Sequence, residues 1–242
     1  MDFELSKSQK EIQKAAREFA KGEFDKELAL ELDRKHEFPR KIWQKAAELG
    51  FIGVHYPEQY SGQNLGCLEN ILIAEEFCAR DSGIGSAIVL ASFASECVLR
   101  FGSDELKQRF LPQVAEGRML SGGAFTEPGH GSDITSLDTT AVRHGAEWVI
   151  NGTKTFITNG GLAGFYCTLC QTDVGCSPSY RGISMILVEA DRPGLTTADV
   201  GEKMGIHMMA TAEVNYKDVR VPAANLIGKE GRGFYQVLEF FD

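Results

Sequence analysis

The sequence predicts an α+β fold in which helices come first and strands follow: an N-terminal all-α helical domain over 1–118, an antiparallel β-barrel or sandwich domain over 119–226, and the start of a third, helical domain over 227–242. Three observations carry this. Up to Ala115 the apolar residues recur at helical spacing. From Met119 the pattern changes to alternation and glycine turns, with many short strand candidates in succession. After Pro222 the chain passes through Gly228, Gly231 and Gly233 into an apolar run, Phe234 to Phe241, that opens another helix.

Taken in order, Ser6 precedes a stretch from Lys7 to about Leu32 in which Ile12, Ala15, Ala16, Phe19, Ala20 and Phe24 hold one helical face. Pro39 opens a second helix through Ile42, Trp43, Ala46 and Leu49, ended by Gly50 as a glycine cap. A third runs from about Leu68 to Ala79 with Ile71, Leu72, Ala74 and Cys78 on its buried face. Ser82 to Leu99 is almost wholly apolar or small; falling short of the roughly 20 residues that span a bilayer, it reads as a core helix. Asp104 to Ala115 closes the helical part. Strands are expected at Thr139–Val142, around the tight-turn signal Asn151-Gly152, and at Thr155–Thr158, Phe165–Gln171, Ile183–Val188 and Glu213–Val221.

Composition narrows the partners. The 242 residues are 43% hydrophobic and 24% charged, ordinary soluble globular material. A formal charge of −9, from 25 basic against 34 acidic residues, argues against nucleic acid, which needs concentrated Lys and Arg. No membrane span is expected, and Met1-Asp2-Phe3-Glu4 lacks the basic start and apolar core of a signal peptide, so a cytoplasmic protein, or a mitochondrial matrix protein after processing, is expected. Six scattered cysteines fit reduced thiols. Cys167-Thr168-Leu169-Cys170 has C-x-x-C spacing, but on a strand those two thiols point to opposite faces; they read as half-buried strand cysteines, and no metal site is expected.

The chemistry lies in two runs. Gly123-Ala124-Phe125-Thr126-Glu127-Pro128-Gly129-His130-Gly131-Ser132-Asp133 packs a hydroxyl, a Pro-Gly turn and a Gly-Ser-Asp turn into a few residues, and Lys154-Thr155-Phe156-Ile157-Thr158-Asn159-Gly160 sets a second hydroxyl beside an aromatic ring. A planar ring with polar edges and apolar faces, such as isoalloxazine, needs hydroxyls and backbone N–H groups at its nitrogens and apolar groups on its faces. These runs supply both. Each residue also has a plainer role open to it: Thr126 in a turn, Ser132 and Asp133 as an Asx or N-cap pair, Thr158 as an ordinary strand threonine. Glu127, next to Pro128, reads as a residue that orients the loop through hydrogen bonds rather than as a base.

With these runs the chain resembles the acyl-CoA dehydrogenase family. Phe3-Glu4-Leu5-Ser6-Lys7-Ser8-Gln9, Glu48-Leu49-Gly50-Phe51-Ile52-Gly53 and Pro57-Glu58-Gln59-Tyr60-Ser61-Gly62 look like its N-terminal domain, and Lys203-Met204-Gly205-Ile206 and Asp218-Val219-Arg220-Val221-Pro222 like the end of its β-domain. The resemblance implies an FAD-dependent enzyme that removes a proton from Cα of an acyl-CoA thioester while a hydride leaves Cβ for flavin N5, in fatty acid or organic acid degradation. It implies Phe125, Thr126, Ser132, Phe156, Ile157 and Thr158 as flavin contacts, with Ser132, Val89, Leu90, Phe93 and Asp242 toward the substrate. Plain core packing stays open for Val89, Leu90 and Phe93, and an exposed terminal carboxylate for Asp242. An electron-transfer flavoprotein or similar acceptor and a homotetramer of the full-length enzyme are implied as well.

The family's catalytic base is a carboxylate of its C-terminal domain, expected beyond Asp242, so no catalytic residue is assigned and the fragment alone is expected to be inactive. An acyl-CoA oxidase-like enzyme, a flavin monooxygenase and an inactive fragment are the alternatives. Gly123 where the family often has an aromatic, Phe156 for a frequent Trp, and His207-Met208-Met209-Ala210-Thr211 where Arg-x-Ser-x-Thr is common point to a roomier site, suited to a bulky, branched or cyclic acyl group.

Overall fold

A computed structural model describes residues 4–242; Phe3 of the opening motif lies outside them. The chain divides into two compact units. One comprises Met1–Ser92, Leu111–Arg118 and Glu202–Ala210, the other Phe93–Phe110, Met119–Gly201 and Thr211–Asp242.

The first unit carries α1 (Lys7–Glu23), α2 (Lys26–Lys35), α3 (Arg40–Glu48), α4 (Cys67–Arg80) and α5 (Ser82–Val89). Ser6 starts α1 through a capping box with Gln9, each side chain bonding the other's backbone N–H. The single long helix expected from Lys7 to Leu32 is in fact two. Asp25 accepts the Leu28 N–H at 2.9 Å and caps α2, a competing local bond that breaks the helix after Glu23. Phe19, Phe24, Phe51 and Phe77 pack tilted or edge-on with centroids 5.3 to 6.1 Å apart, a geometry that suits the ring quadrupole. Gly50 follows α3 with φ +75, the left-handed position that only glycine enters without cost.

Within this unit the segment Glu202–Ala210 is tied to α2 by His207. Its Nδ1 lies 3.0 Å from Asp33 Oδ2, its Nε2 2.7 Å from the Lys203 carbonyl, and its ring stacks on His36 at 4.6 Å and 7°. Both polar partners only accept, so both ring nitrogens donate and the imidazolium is the favoured form.

The run expected as one core helix from Ser82 is broken. α5 ends at Val89, a 3₁₀ turn spans Leu90–Ser92, and α6 covers Ser95–Phe101. Ser82–Phe101 reaches 20 residues and is apolar enough to cross a membrane, contrary to the length argument above. Half of it is buried inside the protein, as in the core helix of a folded domain.

The second unit contains α6, most of α7 (Asp104–Ala115), eight strands and α8 (Gly233–Phe241). The strands are β1 (Ser121–Ala124), β2 (Thr140–His144), β3 (Glu147–Thr158), β4 (Phe165–Gln171), β5 (Ile183–Glu189), β6 (Leu195–Asp199), β7 (Thr211–Pro222) and β8 (Leu226–Ile227). They form one mixed sheet in the order β6-β7-β3-β2-β4-β5-β8, with β1 beside β4. The expectation of an antiparallel barrel or sandwich is therefore wrong on two counts. β1 and β2 pair with β4 in parallel, and among the described residues the end strands β6 and β8 bond only to β7 and β5, so the sheet does not close. Alternation and turn spacing mark strands; they do not say which strand bonds to which.

Two smaller differences have the same origin. Asn151-Gly152 lies inside the continuous β3 at a register shift against β7, and the turn from β2 to β3 is made around Gly145 at φ +62. β4 is buried along its whole length, so Cys167 and Cys170 are both fully buried rather than half-buried. Burial pushes both thiols up, Cys170 to about 12, which keeps them protonated and unreactive. The core of this unit is the apolar set around Trp148, Ile150, Tyr166, Ile186, Val214 and Val221.

Candidate flavin and thioester site

The first run folds into a turn pinned from inside. Glu127 N–H donates to the His130 carbonyl at 2.9 Å and His130 N–H returns to Glu127 at 3.1 Å, leaving Pro128 and Gly129 exposed at the tip. The Glu127 side chain, 1% exposed, accepts from Asp138 N–H at 2.7 Å, Thr139 N–H at 3.0 Å and the Lys154 ammonium at 2.7 Å. Lys154 also donates to the Phe125 carbonyl at 3.1 Å. Burial works against ionisation of Glu127, but the Lys154 charge and the donated hydrogen bonds hold its pKa below the ordinary carboxylate range. Burial lowers Lys154, opposed by the charge of Glu127. Glu127 is thus an anionic clamp on the loop, the orienting role its place beside Pro128 suggested. Sequence reasoning passed over Lys154, whose complete burial is visible only in three dimensions.

The second run lies alongside the first. Thr155 N–H donates to the Thr126 carbonyl at 2.9 Å, and Asn159 Nδ2 to the Ser121 carbonyl at 2.8 Å. Between these ties the β3 register slips against β7 from Lys154 to Ile157, and Phe156 takes φ +57 and is 68% exposed. A bulky side chain in the left-handed region is strained, and a bulge re-aims a side chain that the regular ladder would otherwise direct. Ile157 next to it is buried.

Thr126 and Thr158 are half-buried, and among the described residues neither hydroxyl has a hydrogen-bond partner. Ser132 is exposed beyond the turn, while Asp133 is occupied locally, accepting from Thr135 N–H and Oγ1 at 2.9 and 2.6 Å.

Phe125 and Phe93 both flank Gly123. Both rings pack near Phe240 and Phe241 of α8, two residues not among the expected site contacts. The clue available in sequence was only the density of aromatic residues in that last run. Asp242 follows α8 and is exposed. Val89 and Leu90 belong to the other unit, half-buried at the end of α5.

A flavin needs donors at its polar edge and an apolar face. Two uncommitted hydroxyls, a turn held rigid by a buried ion pair, and an outward-facing phenyl ring fit that need. Nothing in the pair of runs offers a free buried carboxylate, since Glu127 is fully engaged. Glu127, His130 and Asp138 place ligand-type atoms near one another, but the Lys154 ammonium already occupies Glu127.

Comparison with known proteins identifies the family. The family description "Acyl-CoA dehydrogenase, N-terminal domain" matches residues 6–118, and "Acyl-CoA dehydrogenase, middle domain" matches 122–219. Acryloyl-CoA reductase (NADH) of Anaerotignum propionicum is 38% identical over 244 residues, covering 100% of this chain and 61% of that protein. Isobutyryl-CoA dehydrogenase of Dictyostelium discoideum is 36% identical, covering 95% and 55%. The crystal structure of an acyl-CoA dehydrogenase from Geobacillus kaustophilus superposes with a TM-score of 0.92 at 34% identity, covering 99% of this chain and 63% of that one. The chain thus spans about six-tenths of the length of these relatives. It belongs to the acyl-CoA dehydrogenase family, of which it carries the N-terminal and middle domains.

Proposed function

We propose that the protein takes part in flavin-dependent α,β-dehydrogenation of an acyl-CoA thioester, with FAD held by the turn at Phe125–Thr126, by Ser132, and by the bulged segment Phe156–Thr158. The observation that carries this is the pair of unpartnered hydroxyls, Thr126 and Thr158, on two runs tied together by the Thr155-to-Thr126 backbone bond. When bound, FAD would supply the two-electron acceptor for the hydride leaving Cβ. The chain's own part is to hold and orient. The Glu127–Lys154 pair fixes the turn, Thr126 and Thr158 offer hydrogen bonds, and Phe156 covers an apolar face. Neither run offers the carboxylate that takes the Cα proton, since Glu127 is committed to Lys154. A homotetramer, an electron-transfer flavoprotein as acceptor and a cytoplasmic or matrix location complete the proposal.

A second reading runs the same chemistry backwards, as reduction of an enoyl-CoA; it is favoured by the 38% identity to a protein named acryloyl-CoA reductase (NADH). The test is FAD binding by equilibrium dialysis for the parent, Thr126→Val and Thr158→Val. Each variant is expected to bind several-fold more weakly, from the loss of one hydrogen bond of about 0.5–1.5 kcal/mol. Affinities unchanged in both variants would remove the site assignment. Anaerobic bleaching by an acyl-CoA, against reoxidation by an enoyl-CoA, distinguishes the two directions.

A further inference from the structure

The absence of a side chain at Gly123 suggests empty space, and the structure shows that space filled. A Cβ built at Gly123 would come within 3.1 and 3.2 Å of Phe125 Cε2 and Cζ and 3.2 Å of Phe93 Cε1. Phe93 in turn meets Phe240 edge-on at 5.0 Å and 82°, and Phe240 meets Phe241 at 4.8 Å and 76°. Phe125 completes the group, 6.0 Å from Phe240.

The four rings are anchored from three sides. Phe125 precedes Thr126 on the clamped turn, its carbonyl held by Lys154. Phe93 lies just before α6, where Ala94 N–H donates to Ser121 Oγ at 3.1 Å. α8 is fixed by Gln236 Nε2 donating to the Ile227 carbonyl at 2.9 Å and by Arg100 donating to the Glu239 carbonyl at 2.6 Å. Gly233 at the start of that helix sits so close to Ser184 that a Cβ would lie 2.7 Å from its backbone. The helix therefore has little freedom to withdraw its aromatic end.

We infer that Phe93, Phe125, Phe240 and Phe241 form an aromatic wall beside the thioester site that limits the acyl group to a short chain, butyryl-sized or smaller, with Phe240 as the residue that sets the limit. This rests on the acyl-CoA reading above. Phe240 touches both Phe93 and Phe125 and is itself half-buried, so it is the ring a longer acyl tail would have to displace. Moving it costs packing on both sides and gives the tail nothing the rings do not already have.

The test is a calorimetric titration of the FAD-loaded protein with free CoA, butyryl-CoA and octanoyl-CoA. In an open apolar channel each added methylene strengthens binding about fourfold, so octanoyl-CoA would bind at least a hundredfold more tightly than butyryl-CoA. The wall predicts instead that octanoyl-CoA binds no more tightly than butyryl-CoA. In Phe240→Ala the ratio should move toward octanoyl-CoA by about tenfold or more, as a few methylenes gain room. Phe240→Leu, which keeps most of the packing, should move it the same way by less. Tighter octanoyl binding by the parent, or a ratio unmoved in both variants with their circular dichroism intact, overturns the wall. Binding of neither ester above free CoA overturns the acyl-CoA reading, and the wall with it.

Discussion

Replacing Lys154 with Met tests the clamp that organises the candidate site. The substitution keeps an apolar stem of similar length and deletes the ammonium that lies 2.7 Å from Glu127 Oε1. The carboxylate is left 1% exposed with two backbone N–H donors, from Asp138 and Thr139, and no countercharge. Breaking a buried pair from one side costs about 3–5 kcal/mol, against a typical total stability of about 5–15 kcal/mol. With a urea slope of about 1–3 kcal/mol/M, the unfolding midpoint should fall by at least about 1 M. Trp148 is 1% exposed on the same strand as Lys154, and Trp43 is the chain's other tryptophan, so Trp148 fluorescence in a Trp43→Phe background follows this unit.

Adding Glu127→Gln should restore about 1–2 kcal/mol, because a neutral amide oxygen still accepts a backbone N–H without a buried charge. The pH response also has a definite sign. In the parent the Glu127 pKa is depressed, so its contribution is present above the ordinary carboxylate value of about 4.3 and lost as pH falls through the folded value. Without Lys154, burial raises that pKa instead, and the deficit of Lys154→Met should shrink on acidification from neutrality. A loss below about 1 kcal/mol, or a double variant less stable than the single one, would refute the clamp.

Three further outcomes are expected. His207, raised by its hydrogen bond to Asp33 and then by the Lys203 carbonyl, should titrate above the free imidazole value of about 6.5 in an NMR pH series. Its tether on Glu202–Ala210 is then fully present below that value and weakens as pH rises through the folded pKa; a His207 midpoint at or below the free value contradicts the double-donor geometry. Phe156→Gly removes a strained left-handed residue and should leave thermal stability equal or higher by about 1 kcal/mol, while FAD affinity falls; a large loss of stability would mean that the exposed ring is structural. Gly152→Ala forces a Cβ to within 2.4 Å of Thr139 Oγ1 at φ +147 and should cost about 1–3 kcal/mol in urea unfolding, with an unchanged midpoint refuting the close approach.

The sequence by itself determined the order of helices and strands, the family, and the two runs that meet at the candidate site. Those features are local or written in motif form: Ser6 capping α1, Gly50 ending α3, and the hydroxyl, proline and glycine positions around Thr126. Where a local signal had a competitor it misled. Asp25 broke a helix whose apolar face continued past it, and Asn151-Gly152 served as a bulge within β3 instead of a turn.

What only the tertiary structure decided depends on partners far apart in the chain. β1 pairs in parallel with β4 across about 40 residues, which leaves the sheet mixed and open. Lys154 finds Glu127 at a separation of 27 residues, and the gap at Gly123 is filled by rings from Phe93 and Phe125 with Phe240 behind them. Residue type sets what a side chain is able to bind, but whether its space and charge are already taken is a property of neighbours that folding alone brings together.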